Sequence, residues 1–137
     1  MTCIVGIVEN NVVYIGGDSA SVNTNFQSET RADAKVFQVG EFLFGICGSW
    51  RMGQVLRFKV KTPERKENQN DYEYLVADWV DATREAMKES GCLVGEDEQE
   101  FLPGTFLMGY RGNLYTVDSD FGIGQSLDGM AACGCAG

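Results

Sequence analysis

Thr2-Cys3-Ile4-Val5-Gly6-Ile7-Val8 opens the chain, and after Asn10-Asn11 the run Val12-Val13-Tyr14-Ile15 leads into Gly16-Gly17-Asp18-Ser19. Two β-branched runs of strand length, joined by residues that tolerate positive φ, predict a β-hairpin. Ser19 to Arg31 is polar and reads as an irregular strand or loop. Lys35 to Val39 and Phe42 to Ile46 form a second hairpin around Gly40-Glu41, closed by Gly48-Ser49. From Trp50 to about Lys59 the apolar spacing suits a helix, and residues 62 to 71 with Pro63 suit a loop. In Tyr72 to Ser90, Tyr72, Leu75, Val76, Trp79, Val80, Thr83 and Met87 recur at three- and four-residue steps, which predicts a helix with one apolar face, stopped by Gly91. An acidic loop over Glu96 to Glu100, a third hairpin around Arg111-Gly112, a turn at Asp118 to Asp120 and a last apolar segment from Met130 to Cys133 complete the chain. Strands and helices segregate instead of alternating, so the expected class is α+β, in one domain spanning residues 1–137.

Composition narrows the function. Eleven Lys and Arg against 20 Asp and Glu leave a formal charge of −9, which disfavours nucleic-acid binding. The basic run Arg57 to Lys66 reads as a solvated loop. No apolar stretch approaches the ~18 residues of a membrane span, and the N-terminus lacks the pattern of a secretory signal. A cytoplasmic protein without membrane contact is expected. The five cysteines are an odd set, and without histidine they make a poor metal site; reduced, buried thiols are expected, Cys3 among them as strand packing. No metal or cofactor is expected.

The absence of histidine also excludes Ser-His-Asp and Cys-His systems. A catalytic base must then be Lys, a carboxylate or the terminal amine. Thr2 follows the initiator methionine, whose removal is favoured before a small residue. Its free amine, with an ordinary pKa of about 7.7–8.0, could serve as base for its own hydroxyl.

These residues together resemble the opening of proteasome β subunits and of the peptidase ring of a bacterial ATP-dependent protease, both N-terminal-nucleophile (Ntn) hydrolases. Thr2-Cys3-Ile4-Val5-Gly6-Ile7 and Val13-Tyr14-Ile15-Gly16-Gly17-Asp18-Ser19 carry the likeness, with Asp18 sixteen residues after Thr2. Ala32-Asp33-Ala34-Lys35-Val36 matches the stretch of the family's lysine, and Phe44 to Ser49 the stretch of its oxyanion glycine, Gly48. Gly109-Tyr110 and Leu114 to Asp118 are similar to the family's next hairpin, and Ala132-Cys133-Gly134-Cys135 to its Gly-Ser-Gly turn.

The resemblance implies an αββα sandwich of antiparallel sheets and a threonine peptidase. In it Thr2 is the nucleophile, Lys35 and Asp18 assist, Gly48 stabilises the oxyanion, and Cys135 stands where the family has a serine that positions the amine. A peptide or unfolded polypeptide is expected to lie as an added strand along Ser19, Ser21 and Val22 and beside Ser49. A homo-oligomeric ring and an ATPase unfoldase partner are further implications. The family continues past the position of Gly137 with another helix layer and more strands, so an incomplete sandwich with one apolar outer face is expected. Two other readings remain open, a non-catalytic subunit of the same fold and an Ntn amidase for small amides. Residue by residue, Thr2 could simply begin a strand, Asp18 cap a turn, Lys35 be a solvated edge charge and Gly48 serve a tight turn.

Overall fold

The structure, a computed structural model, describes residues 2–22, 25, 27–95 and 99–135. Strands β1 (Cys3–Glu9) and β2 (Val12–Gly17) form the first hairpin, with Asn10 and Asn11 both at positive φ, 51° and 62°. That pair of left-handed residues matches the twist of the flanking strands. The polar stretch after Ser19 contains a small hairpin, β3 (Ala20–Val22) with β4 (Ser28–Thr30). Strands β5 (Val36–Val39) and β6 (Phe42–Gly48) form the next hairpin and lead into helix α1 (Trp50–Phe58). Ser49 caps α1, its hydroxyl accepting from the Met52 amide at 3.3 Å.

The long helical region begins at α2 (Asp71–Glu73), capped by Asn70, passes through a π-helical stretch, Tyr74–Trp79, and continues as α3 (Val80–Glu89). The wider π turn changes which residues face inward. Tyr74, Leu75, Trp79, Val80, Thr83, Ala86 and Met87 are buried, whereas Tyr72 and Val76 of the expected apolar stripe are exposed. Gly91, at φ 65°, follows the helix end. Strands β7 (Gly104–Tyr110) and β8 (Asn113–Val117) form the third hairpin, followed by β9 (Ile123–Gln125), which the sequence reading lacked, and β10 (Met130–Gly134). The expected acidic loop lies partly outside the described residues, as do Ala136 and Gly137.

Two antiparallel sheets stack. One has the order β10-β1-β2, the other β5-β6-β7-β8-β9. Ile4, Cys47, Leu107, Leu114 and Cys133 fill the space between the sheets. The helices cover the far face of the five-stranded sheet, where Trp79 meets Phe42, Phe44 and Phe106 with ring centroids 5.6–6.2 Å apart. This is an α+β arrangement of helices and antiparallel sheets. The outer face of the three-stranded sheet exposes Val5, Ile7, Tyr14 and Met130. Among the described residues no helix is long and apolar enough to cross a membrane.

Three expectations are corrected. Cys47 and Cys133, 86 positions apart in sequence, form a disulfide with Cα atoms 6.5 Å apart, so the cysteines are not all reduced. The stacking of the two sheets brings this pair together, and sequence spacing carries no trace of it. Cys3 is exposed, because β1 alternates and it is Ile4 that points into the core. The basic run is not uniformly a solvated loop: Arg57 belongs to α1, and Arg65 is half-buried, pairs with Asp71 and donates to Tyr110 Oη at 3.1 Å.

Candidate active site

The first hairpin places its two ends side by side. Ile4 pairs with Gly17, so Thr2 and Asp18 leave the sheet together at one end. The Asp18 amide donates to the Cys3 carbonyl at 3.2 Å, and the Cys3 amide donates to Asp18 Oδ1 at 2.8 Å. The Ala20 amide donates to Asp18 Oδ2 at 3.1 Å. Two backbone amides therefore hold the carboxylate, one of them from the first strand, before any cation is considered.

Lys35 comes from the other sheet. It directly precedes β5, and its carbonyl accepts from the Ile46 amide of β6 at 2.9 Å. The residue is only 4% exposed. Its Nζ donates to Thr2 Oγ1 at 3.1 Å and to Asp18 Oδ1 and Oδ2 at 3.2 and 3.1 Å. A buried ammonium needs such an ionic partner. The Cys3 amide, and then the Lys35 ammonium and Ala20 amide, hold the Asp18 pKa down to about 2 against the opposing effect of desolvation. Asp18 is thus a carboxylate at any physiological pH.

Gly48 ends β6 opposite Gly104, at φ 111°. A side chain there would be strained, and its Cβ would come within 2.7 Å of the Pro103 carbonyl oxygen. The Ile46 amide faces Lys35, and the Ser49 amide turns to the Pro103 carbonyl at 3.2 Å. Strand alternation directs the Gly48 N–H to the edge that Ile46 shares with Lys35.

Cys135 meets residue 2 through its backbone, its amide donating to the Thr2 carbonyl at 2.6 Å while its thiol is exposed. The turn before it is close-packed, since Gly134 lies at φ 73° against that same carbonyl.

The expected substrate-binding residues are divided. Ser21 and Val22 lie on β3, which pairs with β4 on one side, and the Ser19 carbonyl accepts from the Arg31 amide at 3.1 Å. The Ser49 hydroxyl is engaged in capping α1. One neighbouring group was not singled out in the sequence. The Arg31 guanidinium lies 4.0 Å over the Trp50 ring and pairs with Asp33 at 2.6 Å, and Lys35 Nζ is 5.8 Å from the same ring. The Arg-x-Asp spacing and a Trp directly after Gly-Ser were the available signals.

No protein-family model and no curated protein matches the chain. Solved structures do. BPH from Thiobacillus denitrificans superposes with TM-score 0.76 at 16% identity, over 97% of this chain and 72% of that one. A second structure of it, in complex with epoxomicin, gives 0.75 at 14% identity, with the same coverage. Eukaryotic HslV from Trypanosoma brucei gives 0.61 at 16% identity, over 97% of this chain and 71% of that one. Anbu, an ancestral β-subunit, from Yersinia bercovieri gives 0.58 at 14% identity, over 98% of this chain and 61% of that one. The likeness reaches nearly every residue of the chain, and at these identities it establishes the architecture: this chain has the fold of the proteasome-like BPH, HslV and Anbu structures.

Proposed function

We propose that the chain is a threonine-type peptidase whose nucleophile is the Thr2 hydroxyl and whose base is the Thr2 α-amine, exposed by removal of Met1. The observation that carries the reading is the contact of the buried Lys35 Nζ with Thr2 Oγ1 and with both Asp18 oxygens, all within 3.2 Å. An ordinary strand start has no use for a buried ammonium against its hydroxyl. An adjacent cation disfavours protonation of the amine and stabilises the alkoxide.

In this scheme the amine takes the proton from Oγ1 as Oγ1 attacks the substrate carbonyl carbon. The Gly48 N–H stabilises the oxyanion, a contribution of about 2.7–4 kcal/mol for one such donor. The C–N bond breaks, the leaving amine takes the proton from the Thr2 ammonium, and an ester remains on Oγ1. Water, deprotonated by the same amine, then hydrolyses the ester. The second edge of β3 and the Gly48 edge of β6 suit an extended peptide, bound by backbone hydrogen bonds. An oligomeric state fits the fold neighbours, one of which is a helical assembly of the Anbu complex from Pseudomonas aeruginosa.

The test is hydrolysis of a fluorogenic peptide panel, with small amides alongside, by wild type and Thr2→Ala. Intact mass is measured on both proteins. Peptide turnover by a protein lacking Met1, lost in Thr2→Ala and slowed by epoxomicin, is the expected result. Equal turnover by the two proteins, or turnover by a chain that retains Met1, contradicts the reading, and cleavage of small amides alone replaces peptidase with amidase.

A further inference from the structure

The groups around Thr2 come from two different sheets. Thr2 and Asp18 lie at the ends of β1 and β2, in the three-stranded sheet. Lys35 and Gly48 lie at the start of β5 and the end of β6, in the five-stranded sheet. The sheets meet through apolar side chains such as Ile4, Leu107 and Leu114. Apolar contact resists separation but is non-directional, so it resists sliding less well than a ladder of hydrogen bonds does. A slide of one sheet over the other would change the distance from Lys35 Nζ to Thr2 Oγ1 directly.

The Cys47–Cys133 disulfide crosses this boundary. Cys47 is the residue before Gly48 on β6, and Cys133 is the residue before Gly134 on β10. Cys133 also pairs with Ile4, two residues beyond Thr2. The bridge therefore joins the backbone that bears the candidate oxyanion donor to the turn whose Cys135 amide holds the Thr2 carbonyl at 2.6 Å. Both cysteines are buried, so the bridge is packed between the sheets and is not a surface staple. Its Cα separation of 6.5 Å falls in the usual disulfide range of about 4.4–6.8 Å.

We propose that the Cys47–Cys133 disulfide is a positioning element of the candidate active site, fixing the sheet that carries Thr2 and Asp18 against the sheet that carries Lys35 and Gly48, so that its reduction lowers turnover without unfolding the chain. This rests on the peptidase reading above. Reduction by a small dithiol is balanced as two exchange steps. One dithiol sulfur attacks a bridge sulfur and releases the other cysteine as thiolate. The second dithiol sulfur then closes a cyclic disulfide and releases the remaining thiolate, so the dithiol loses two electrons and the protein gains two thiols.

The experiment compares the protein as purified, the same protein reduced with dithiothreitol, and the Cys47→Ala/Cys133→Ala double variant. Thiols counted after denaturation should rise from three to five on reduction, with folding followed by circular dichroism. The reduced protein should keep its secondary structure and lose at least ~10-fold in kcat with little change in KM, because small displacements of reacting groups are costly. The double variant should show the same loss and no further response to dithiothreitol. Full kcat in the reduced protein overturns the proposal, and so do five thiols before reduction. Loss of fold in the double variant leaves the dithiothreitol comparison to decide. If no sample hydrolyses any peptide, the peptidase reading fails separately. Hydrogen exchange at the Gly48 and Cys135 amides then decides the positioning: faster exchange after reduction supports the clamp, and unchanged exchange overturns it.

Discussion

The Cys3 amide donates to Asp18 Oδ1 over 2.8 Å, and the same carboxylate receives Lys35 Nζ on both oxygens. One side chain thus sets the first strand and the ammonium relative to each other. Thr2, one residue before Cys3, lies within 3.1 Å of that ammonium as a geometric result.

Lys35→Met keeps the length and apolar stem of the side chain and removes the charge. Turnover should fall by roughly 10²–10³-fold, comparable with the loss of one electrostatic stabiliser of the transition state. Circular dichroism should remain that of the wild type. Unchanged kcat in the folded variant would show that the ammonium contributes structure alone.

The pH dependence separates the amine from the carboxylate. Asp18 is lowered from 3.8 to about 2 in the folded protein. A lowered folded pKa means that its contribution to stability is fully present above pH 3.8 and is lost as pH falls through about 2. The base of the scheme is an amine, with an ordinary pKa of about 7.7–8.0. Peptide turnover should therefore fall as the amine is protonated, on the acid side of about pH 7.7–8.0, while urea midpoints show no loss from Asp18 until pH falls below 3.8. An acid limb that coincides with Asp18 protonation would contradict the assignment.

Gly48→Ala places a methyl group against the Pro103 carbonyl oxygen at a φ of 111°. The strain should cost about 1–3 kcal/mol, read as a lower urea midpoint, and turnover should fall further as the N–H is displaced. A variant with wild-type stability and rate would remove Gly48 from the account.

Trp79→Ala tests the core between the helices and the five-stranded sheet. The indole is 1% exposed and meets Phe42, Phe44 and Phe106. A loss of about 3–5 kcal/mol is expected from truncating such a residue. Phe58→Ser, on a side chain 75% exposed, should stay within about 0.5 kcal/mol of wild type.

Local chemistry made much of this architecture legible. Asn10-Asn11 and Arg111-Gly112 adopt the left-handed turn conformations that their residue types favour, so the first and third hairpins follow from sequence. The order Thr2, Asp18, Lys35, Gly48 suggested a shared site through its resemblance to proteasome β subunits, and the structure brings Thr2, Asp18 and Lys35 into contact. Features that depend on long-range packing were hidden. The outward direction of Cys3 could not be read from a run that is apolar on both faces. The π stretch exchanged Tyr74 for Tyr72 in the core by adding a residue to one turn. The Cys47–Cys133 bridge depends on one sheet lying over another. Strand β9 is a three-residue addition to the edge of its sheet, too short to show an alternating pattern.

The most direct test of the mechanism is mass spectrometry of protein quenched in acid during turnover of a peptide activated ester. The expected species is a chain lacking Met1 that carries the acyl group, mapped to the N-terminal peptide on Thr2. An acyl group on another residue, or on a chain that still begins with Met1, would contradict it.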